Sequence, residues 1–230
     1  MKKTVYLFTL TLLLFSAPAI YSQTAELPSE FQSWNEVQLI VPVTHGKDSK
    51  GKKFDKITAT FTGILRIGRS NWDFLDNRAG ITLDFRVNKY LTLMTSALYR
   101  KDELVKNQRR YETRLDFGFV LSKTWKNFTF KDRNMYEHRF RNSRADTNLY
   151  RNRLVVSHPI KHNDRELFSP FISNEGYFDL KTKKWVQNEF FAGISRKLNS
   201  RLTLDLAYIR NDSAPTNVNG FSTSLKIKLR

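Results

Sequence analysis

Apolar and polar residues alternate along nearly the whole chain, and this period of two constrains the fold more than any other feature. Between positions 57 and 67, for example, Ile57, Phe61 and Leu65 share one parity, whereas Thr60 and Arg66 share the other. Successive side chains of a β-strand point to opposite faces, so such a segment predicts a strand with one apolar and one polar face. The pattern predicts strands at residues 34–43, 57–67, 79–87, 91–99, 111–121, 128–140, 152–160, 167–178, 190–194, 202–208 and 221–229.

Strand length and connection length together favour a membrane barrel. Strands of about ten residues, when tilted, are long enough to cross a bilayer. Short polar connections are predicted at 88–89, 122–127, 161–166 and 199–200, and they alternate with mostly longer ones at 101–108, 142–147, 179–184 and 211–219. Short periplasmic turns and longer outer loops are typical of such barrels. We therefore predict an all-β fold, an antiparallel transmembrane up-and-down β-barrel.

The number of strands follows less directly from the pattern. Bacterial single-chain barrels have an even number of strands, whereas eleven alternating segments are counted above. We expect about twelve strands, with one more hidden in residues 23–77. The alternative is ten, with one of the eleven segments outside the barrel.

The N-terminus has the order of features that is typical of a secretory signal peptide. Lys2 and Lys3 provide positive charge, residues 5–15 form an apolar run, and small residues follow as far as Ala19. Cleavage is expected after Ala19 or after Ser22. We favour Ser22, which leaves residues 1–22 as the signal peptide and residues 23–230 as one barrel domain.

Composition excludes a helical membrane protein and is consistent with export. No later apolar run is long enough for a spanning helix, and the mean hydropathy is −0.51. In a barrel only every second residue of a strand is apolar, so this low mean hydropathy does not exclude a barrel. The chain has no cysteine, so an exported domain must be held by burial or by closed strand pairing. We expect the outer membrane of a Gram-negative bacterium, and a soluble periplasmic β-sandwich is the alternative.

The net charge of +17 points to acidic partners. Nucleic acid is the usual partner of so basic a chain, but export argues against it. Outer-membrane lipid and the phosphates of lipopolysaccharide are the expected partners, together with an unidentified acidic ligand.

Aromatic residues lie where strands are predicted to leave the bilayer. Such residues form girdles at both interfaces of membrane barrels. The predicted girdle consists of Tyr99, Tyr111, Tyr150, Trp185 and Tyr208 near the longer loops, with Tyr90 and Trp125 near the short turns.

Charged residues of both signs occupy the parity opposite to the apolar one. We predict that they form a ladder facing the lumen, made of Arg66, Asp84, Arg86, Arg110, Glu112, Arg114, Asp116, Lys131, Arg133, Glu137, Arg139, Arg151, Arg153, Glu175 and Glu189. Opposite charges on neighbouring strands are close enough to pair. The favoured function is an outer-membrane barrel of unknown role with a narrow or salt-bridge-closed lumen. The alternatives are a small anion-preferring pore or acidic-ligand binder, and a lipid-modifying enzyme of the outer membrane.

Enzymatic chemistry has little support in the sequence. Outer-membrane lipid hydrolases resemble one another in having a histidine two residues before a serine, which puts base and nucleophile on one strand face. None of the four histidines, His45, His138, His158 and His162, has a serine at that position. No catalytic residue, metal ligand or cofactor site is predicted, and an enzyme is less favoured than a non-enzymatic barrel.

Four short motifs resemble a known family over nearly the whole mature chain. They are Trp34-Asn35-Glu36-Val37, Lys123-Thr124-Trp125-Lys126-Asn127-Phe128, Arg151-Asn152-Arg153-Leu154 and Asn188-Glu189-Phe190-Phe191-Ala192-Gly193. In order and spacing they resemble the family catalogued as domain of unknown function 2490. The resemblance implies an exported outer-membrane barrel and no particular activity.

Overall fold

The computed structural model describes residues 29–47, 51–68, 73–105, 108–163, 165–214 and 216–229. Within these ranges no helix is long and apolar enough to cross a membrane. The predicted signal peptide at residues 1–22 lies outside the described residues. The strands are β1 Ser29–Lys47, β2 Lys53–Gly68, β3 Asp73–Arg86, β4 Leu91–Val105, β5 Gln108–Trp125, β6 Phe128–Arg141, β7 Thr147–Ser157, β8 Ile160–His162, β9 Arg165–Asp179, β10 Lys184–Lys197, β11 Leu202–Ser213 and β12 Asn217–Lys228.

The strands form one sheet that closes on itself. From β1 to β7 each strand pairs antiparallel with the next, β7 pairs with β9, and the order then continues through β10 and β11 to β12. A parallel pairing between β12 and β1 completes the ring. The predicted all-β barrel is therefore confirmed. The β-sandwich alternative is wrong for the described residues, because a sandwich needs two separate sheets packed face to face.

The ring contains eleven of the twelve strands in the described part of the chain. The remaining strand, β8, is three residues long and pairs only with the start of β9. In a ring of antiparallel neighbours, an odd number leaves two strands running the same way where the ring closes. Here these are β1 and β12, in register from Ser29 opposite Asn217 to Ile40 opposite Lys228. The eleven alternating segments are the eleven strands of the ring, and the expectation of an even number does not hold for it.

The connections at the two ends of the barrel differ less in length than the predicted ones do. The upper end has the connections at residues 69–72, 106–107, 142–146, 180–183 and 214–216, and the lower end has those at 48–52, 87–90, 126–127, 158–164 and 198–201. The prediction of mostly longer loops at one end is wrong, because the upper halves of the strands extend further than their apolar patterns do. Strand pairing continues there since it satisfies backbone hydrogen bonds whatever the side chains are.

Alternation gives the sheet a buried inner face and an exposed outer face. Glu137 and Glu175, on the inner face, are 0% and 1% exposed. Phe117 and Phe221, on the outer face, are 56% and 61% exposed. Large apolar side chains are therefore presented to the surroundings, while carboxylates are buried in the lumen.

A polar seam interrupts the apolar outer face along β6 and β7. The Tyr150 hydroxyl donates to Asn134 Oδ1 at 2.5 Å, and Asn152 Nδ2 donates to Asp132 Oδ1 at 2.7 Å. Higher on the same face, Asn148 Oδ1 accepts from the Tyr136 hydroxyl at 2.7 Å and lies 2.5 Å from His138 Nδ1. The two strands thus satisfy one another's polar groups outside the lumen.

The parallel closure depends on a close approach of the β1 and β12 backbones. Gly220 on β12 faces Gln32 on β1, and a Cβ added at Gly220 would lie 1.8 Å from the Gln32 carbonyl oxygen. Real carbon atoms do not approach oxygen so closely, so only glycine fits without moving one strand. Gly63 on β2 is also in the ring, but a Cβ there would meet nothing within 4 Å.

Replacing Gly220 by Val should weaken the closure, whereas replacing Gly63 by Val should not. Overpacking costs about 1–3 kcal/mol or more, so we expect G220V to lose free energy of unfolding in a urea titration of the detergent-solubilised protein. Strand propensity favours Val over Gly, so G63V should be neutral or more stable. Equal stability of the two variants would contradict the observed pairing of β12 with β1.

Candidate functional site: the lumen

A buried carboxylate on β6 is the centre of a charge network in the upper lumen. Glu137 accepts hydrogen bonds from Arg139 Nε and Arg151 Nη1, each at 2.5 Å, and its Oε2 lies 3.8 Å from Arg114 Nη1. The three arginines come from the inward positions of β5, β6 and β7. A carboxylate removed from water is tolerated only when it is paired and hydrogen-bonded, and here three guanidinium groups meet that requirement.

Two further carboxylates extend the network to both sides. On β5, Glu112 lies 2.6 Å from Arg114 Nη2 and also accepts from Arg141 Nε at 2.6 Å. On β9, Glu175 lies 2.7 Å from Arg151 Nη2. Because Arg114 and Arg151 each contact two carboxylates, the charges form one continuous chain across four neighbouring strands.

The ends of this chain are also paired. Arg133 Nη2 on β6 lies 2.8 Å from Glu175 Oε1. In the upper connection, Arg144 Nη2 lies 3.9 Å from Glu112 Oε2. Partial burial and the neighbouring charge of Arg141 lower the pKa of the Arg144 guanidinium below its usual value.

A second cluster lies beside this network on β2, β3 and β4, of which β4 pairs with β5. Asp76 is 2% exposed, and its carboxylate lies 2.9 Å from Arg78 Nε, 3.1 Å from Arg100 Nη2 and 3.9 Å from Arg66 Nη1. Arg100 Nη2 is also 3.3 Å from Asp102. Three arginines again surround one buried carboxylate.

A third cluster in the upper lumen is apolar. Trp34, Ile209 and Val218, from β1, β11 and β12, form a buried cluster against which Phe191 packs. The Arg66 guanidinium lies 3.2 Å from the Trp34 ring centroid, and that of Arg153 lies 5.2 Å from the Phe191 ring. Cation–π contact of this kind is favourable where water is excluded. We call the charge network, the Asp76 cluster and this apolar cluster together the plug.

Below the plug the lumen widens into a cavity of about 850 Å³, which we call the vestibule. Its ceiling includes Arg114 and Tyr177, and its lining continues to Thr129, Pro159 and Lys197 at the lower end of the barrel. The lumen is therefore filled at its upper end and hollow in its lower half.

Not all residues of the predicted ladder join the network. Asp116 accepts a hydrogen bond from the Ser96 hydroxyl at 2.5 Å, and Glu189 accepts one from Gln187 Nε2 at 2.8 Å. Arg153 Nε donates to the Ser173 hydroxyl at 2.8 Å. Among the described residues, none of these three side chains has an oppositely charged group within 4.0 Å.

The other members of the ladder lie near the two ends of the lumen. Arg86, at the lower end, has its guanidinium 4.7 Å from the Phe54 ring. Asp84 is opposite Met94 in register, and Arg110, at the upper end, is opposite Asp102. Lys131 lines the vestibule.

Sequence reasoning missed six charged residues of the plug. They are Asp76, Arg78, Arg100, Asp102 and Arg141 at the upper ends of strands, and Arg144 in an upper connection. The predicted strands at 79–87 and 91–99 stop short of them because the apolar half of the pattern is interrupted there. Polar or small residues occupy every second position from Asp84 back to Asp76. Following these positions without the apolar ones would have predicted the Asp76 cluster.

The residues of the predicted aromatic girdle all lie on the outside of the barrel. Trp125 and Trp185 are 61% and 60% exposed, and the rings of Tyr99 and Tyr111 stack with their centroids 6.2 Å apart. The others are also exposed: Tyr90, Tyr150 and Tyr208. Their assignment to membrane interfaces stays a prediction.

The histidines do not form a catalytic pair in the described residues. His45 Nδ1 lies 3.2 Å from Asp55 at the lower end, and the His158 ring packs 4.6 Å from that of Phe128. No group of three or more His, Asp, Glu or Cys side chains in the described ranges could hold a metal ion.

A closed ring with an ionic plug defines the chain as a β-barrel with a filled upper lumen. The family model described as Protein of unknown function (DUF2490) matches residues 31–220. The chain belongs to this family, as the sequence resemblance predicted.

Two solved structures are similar to the chain at a low level. The NanC porin, in a rhombohedral crystal form, is 12% identical, with 87% of this chain and 99% of that chain covered and a TM-score of 0.48. LpxR from Salmonella typhimurium is 10% identical, with 74% of this chain and 80% of that chain covered and a TM-score of 0.44. No curated protein matches significantly.

Removing the central charge of the plug should destabilise the barrel. In E137Q three arginines lose their shared anion, and breaking a buried pair in this way costs about 3–5 kcal/mol. Urea titration of the protein in detergent micelles measures the loss. The control is D212N, which removes the pair of Arg210 and Asp212, 2.9 Å apart and 55% and 41% exposed. An exposed pair contributes at most about 1 kcal/mol, so equal losses in the two variants would contradict the burial of Glu137.

Proposed function

We propose that this protein is an outer-membrane β-barrel that seals its own lumen and does not conduct ions across the membrane. The observation that supports it best is the plug, in which buried ion pairs and an apolar cluster together fill the upper lumen. Barrels of 16–18 strands leave an aqueous channel, whereas about eight strands enclose an interior that side chains can fill. A ring of eleven strands lies between these sizes, so its inward side chains decide whether the lumen is open.

The outer face supports a membrane location. Aromatic and aliphatic side chains such as Phe61, Leu93, Phe117 and Phe221 are 46–61% exposed on it. Soluble monomers rarely expose apolar surface on this scale. The ring also leaves no long strand unpaired. Strands in hydrocarbon must be paired, because no water is present there to form hydrogen bonds with free backbone groups.

The basic charge and the N-terminal sequence support the outer membrane as the location. A signal peptide at residues 1–22 would export the chain. Removal of Lys2 and Lys3 with that peptide lowers the net charge from +17 to +15, and a chain this basic would attract the phosphates of lipopolysaccharide and anionic lipid at the membrane surface. We infer that these lipids surround the barrel and do not enter its lumen.

Cell fractionation tests the location. The protein should sediment with outer membranes, and an unheated sample in mild SDS should migrate differently from a boiled one, because a closed ring of strands resists the detergent. Recovery of the folded protein in the soluble periplasmic fraction would refute a membrane location.

Planar-bilayer recording tests the sealed lumen. The purified protein should give no steady current, because ions would have to displace buried arginine and glutamate side chains that hold one another. Replacing Arg114 and Arg133 together by Ala removes contacts to Glu112, Glu137 and Glu175. We expect this variant to leak slightly or to lose stability. A large, steady current from the unmodified protein would show that the plug does not close the lumen.

A further inference from the structure

The vestibule contains basic groups that the ion pairs of the plug leave unbalanced. Lys131 on β6 lines the cavity and is exposed within it. Among the described residues, no carboxylate lies within 4.0 Å of Lys131 or of Arg153. Arg133, which is directly opposite Arg153 in register, has a buried Nε without a hydrogen-bond partner. Of these three cations on two neighbouring strands, only Arg133 is paired with a carboxylate, Glu175.

The opposite wall of the vestibule adds a fourth cation. Lys226 on β12 lines the cavity and lies 2.5 Å from Asp205. Lys226, Asp205 and Arg153 are all near enough to act electrostatically on Lys131. Since β6 and β12 are on opposite sides of the ring, the cavity has a lysine on each of two facing walls.

The structure shows no contribution of these neighbouring cations to the stability of the fold. Like charges held close together repel one another, and the repulsion is relieved when an anion lies between them. The space is also of suitable size, because ligand sites commonly have volumes of about 300–1,000 Å³ and the vestibule measures about 850 Å³.

We propose that the vestibule is a binding site for a small solute with two or more anionic oxygens, of the carboxylate or phosphate class. The solute enters from the lower end, and its anionic group lies between Lys131 and Arg153 on one wall and Lys226 on the other. This inference rests on the proposed sealed lumen, since a plug at the upper end makes the vestibule a dead-end pocket instead of a segment of a pore.

The direction of access follows from where the polar lining ends. Thr129, Ser169 and Lys197 extend the lining to the lower ends of their strands. In the other direction the lining stops at the plug. A bound solute is therefore retained by charge and released on the side from which it came.

Isothermal titration calorimetry on the intact protein in neutral detergent tests the proposal with two probes. Inorganic phosphate and succinate are titrated separately at low salt, with glycerol as an uncharged probe of similar size. We expect at least one anion to bind with a dissociation constant of about 1 mM or lower, and glycerol not to bind. Binding should weaken in 0.5 M NaCl, because salt screens charges that are open to water. The anion that binds more tightly identifies the ligand class.

Variants of Lys131 show whether binding takes place in the vestibule. No described hydrogen bond or ion pair involves Lys131, so K131M should fold normally and bind the anion at least fivefold more weakly. K131E, which reverses the charge, should abolish binding. The matched control is K123M, because Lys123 is an exposed lysine on the adjacent strand β5 and does not line the cavity. SDS-resistant migration of every variant confirms that it is folded.

The outcomes separate this inference from the sealed lumen. Absence of binding for both anions, or equal binding by K131M and K123M, overturns the anion site even when the protein conducts no current. Specific binding that K131M weakens, together with a large current, supports the anion site and refutes the sealed lumen.

Discussion

Closure of the sheet between β1 and β12 is the constraint on which the rest of the structure depends. An antiparallel ring with an odd number of strands can close only where two strands run the same way, and the pairing of Gln32 with Gly220 lies at that point. Once the ring is closed, each strand has a definite inner and outer parity. The inner residues of eleven strands then face a lumen too narrow for their side chains to stay separate, so their charges must be paired or hydrated.

The barrel meets that requirement differently at its two ends. In the upper half, Glu112, Glu137 and Glu175 alternate with arginines on neighbouring strands, so each buried carboxylate contacts at least two cations. In the lower half, smaller residues such as Ser195 and Ala207 line the wall and leave space. Arginine is suited to the filled half because its planar group can contact two carboxylates at once. Lysine occurs in the hollow half, where water can reach it.

The outer face of the barrel is not apolar throughout. Along β6 and β7 the polar seam places Asp132, Asn134 and Asn152 among tyrosines, with their hydrogen bonds made to one another. If the barrel lies in a membrane as proposed, mutual hydrogen bonding lowers the cost of exposing these groups to hydrocarbon. The seam adjoins the plug through the same two strands, whose inward residues include Glu137 and Arg151, so β6 and β7 are polar on both faces.

The sequence by itself determined the strands, their parity and the sign of the lumen charge, because a pleated strand converts alternation directly into two faces. It predicted the inward position of Glu137 and Arg151 for the same reason. Only the tertiary structure decided that eleven strands close through a parallel pair, that Asp76 lies among three arginines, and that the lumen is filled above and hollow below. These depend on contacts between residues far apart in the chain, such as Trp34 with Arg66 and Arg133 with Glu175, which no local pattern records.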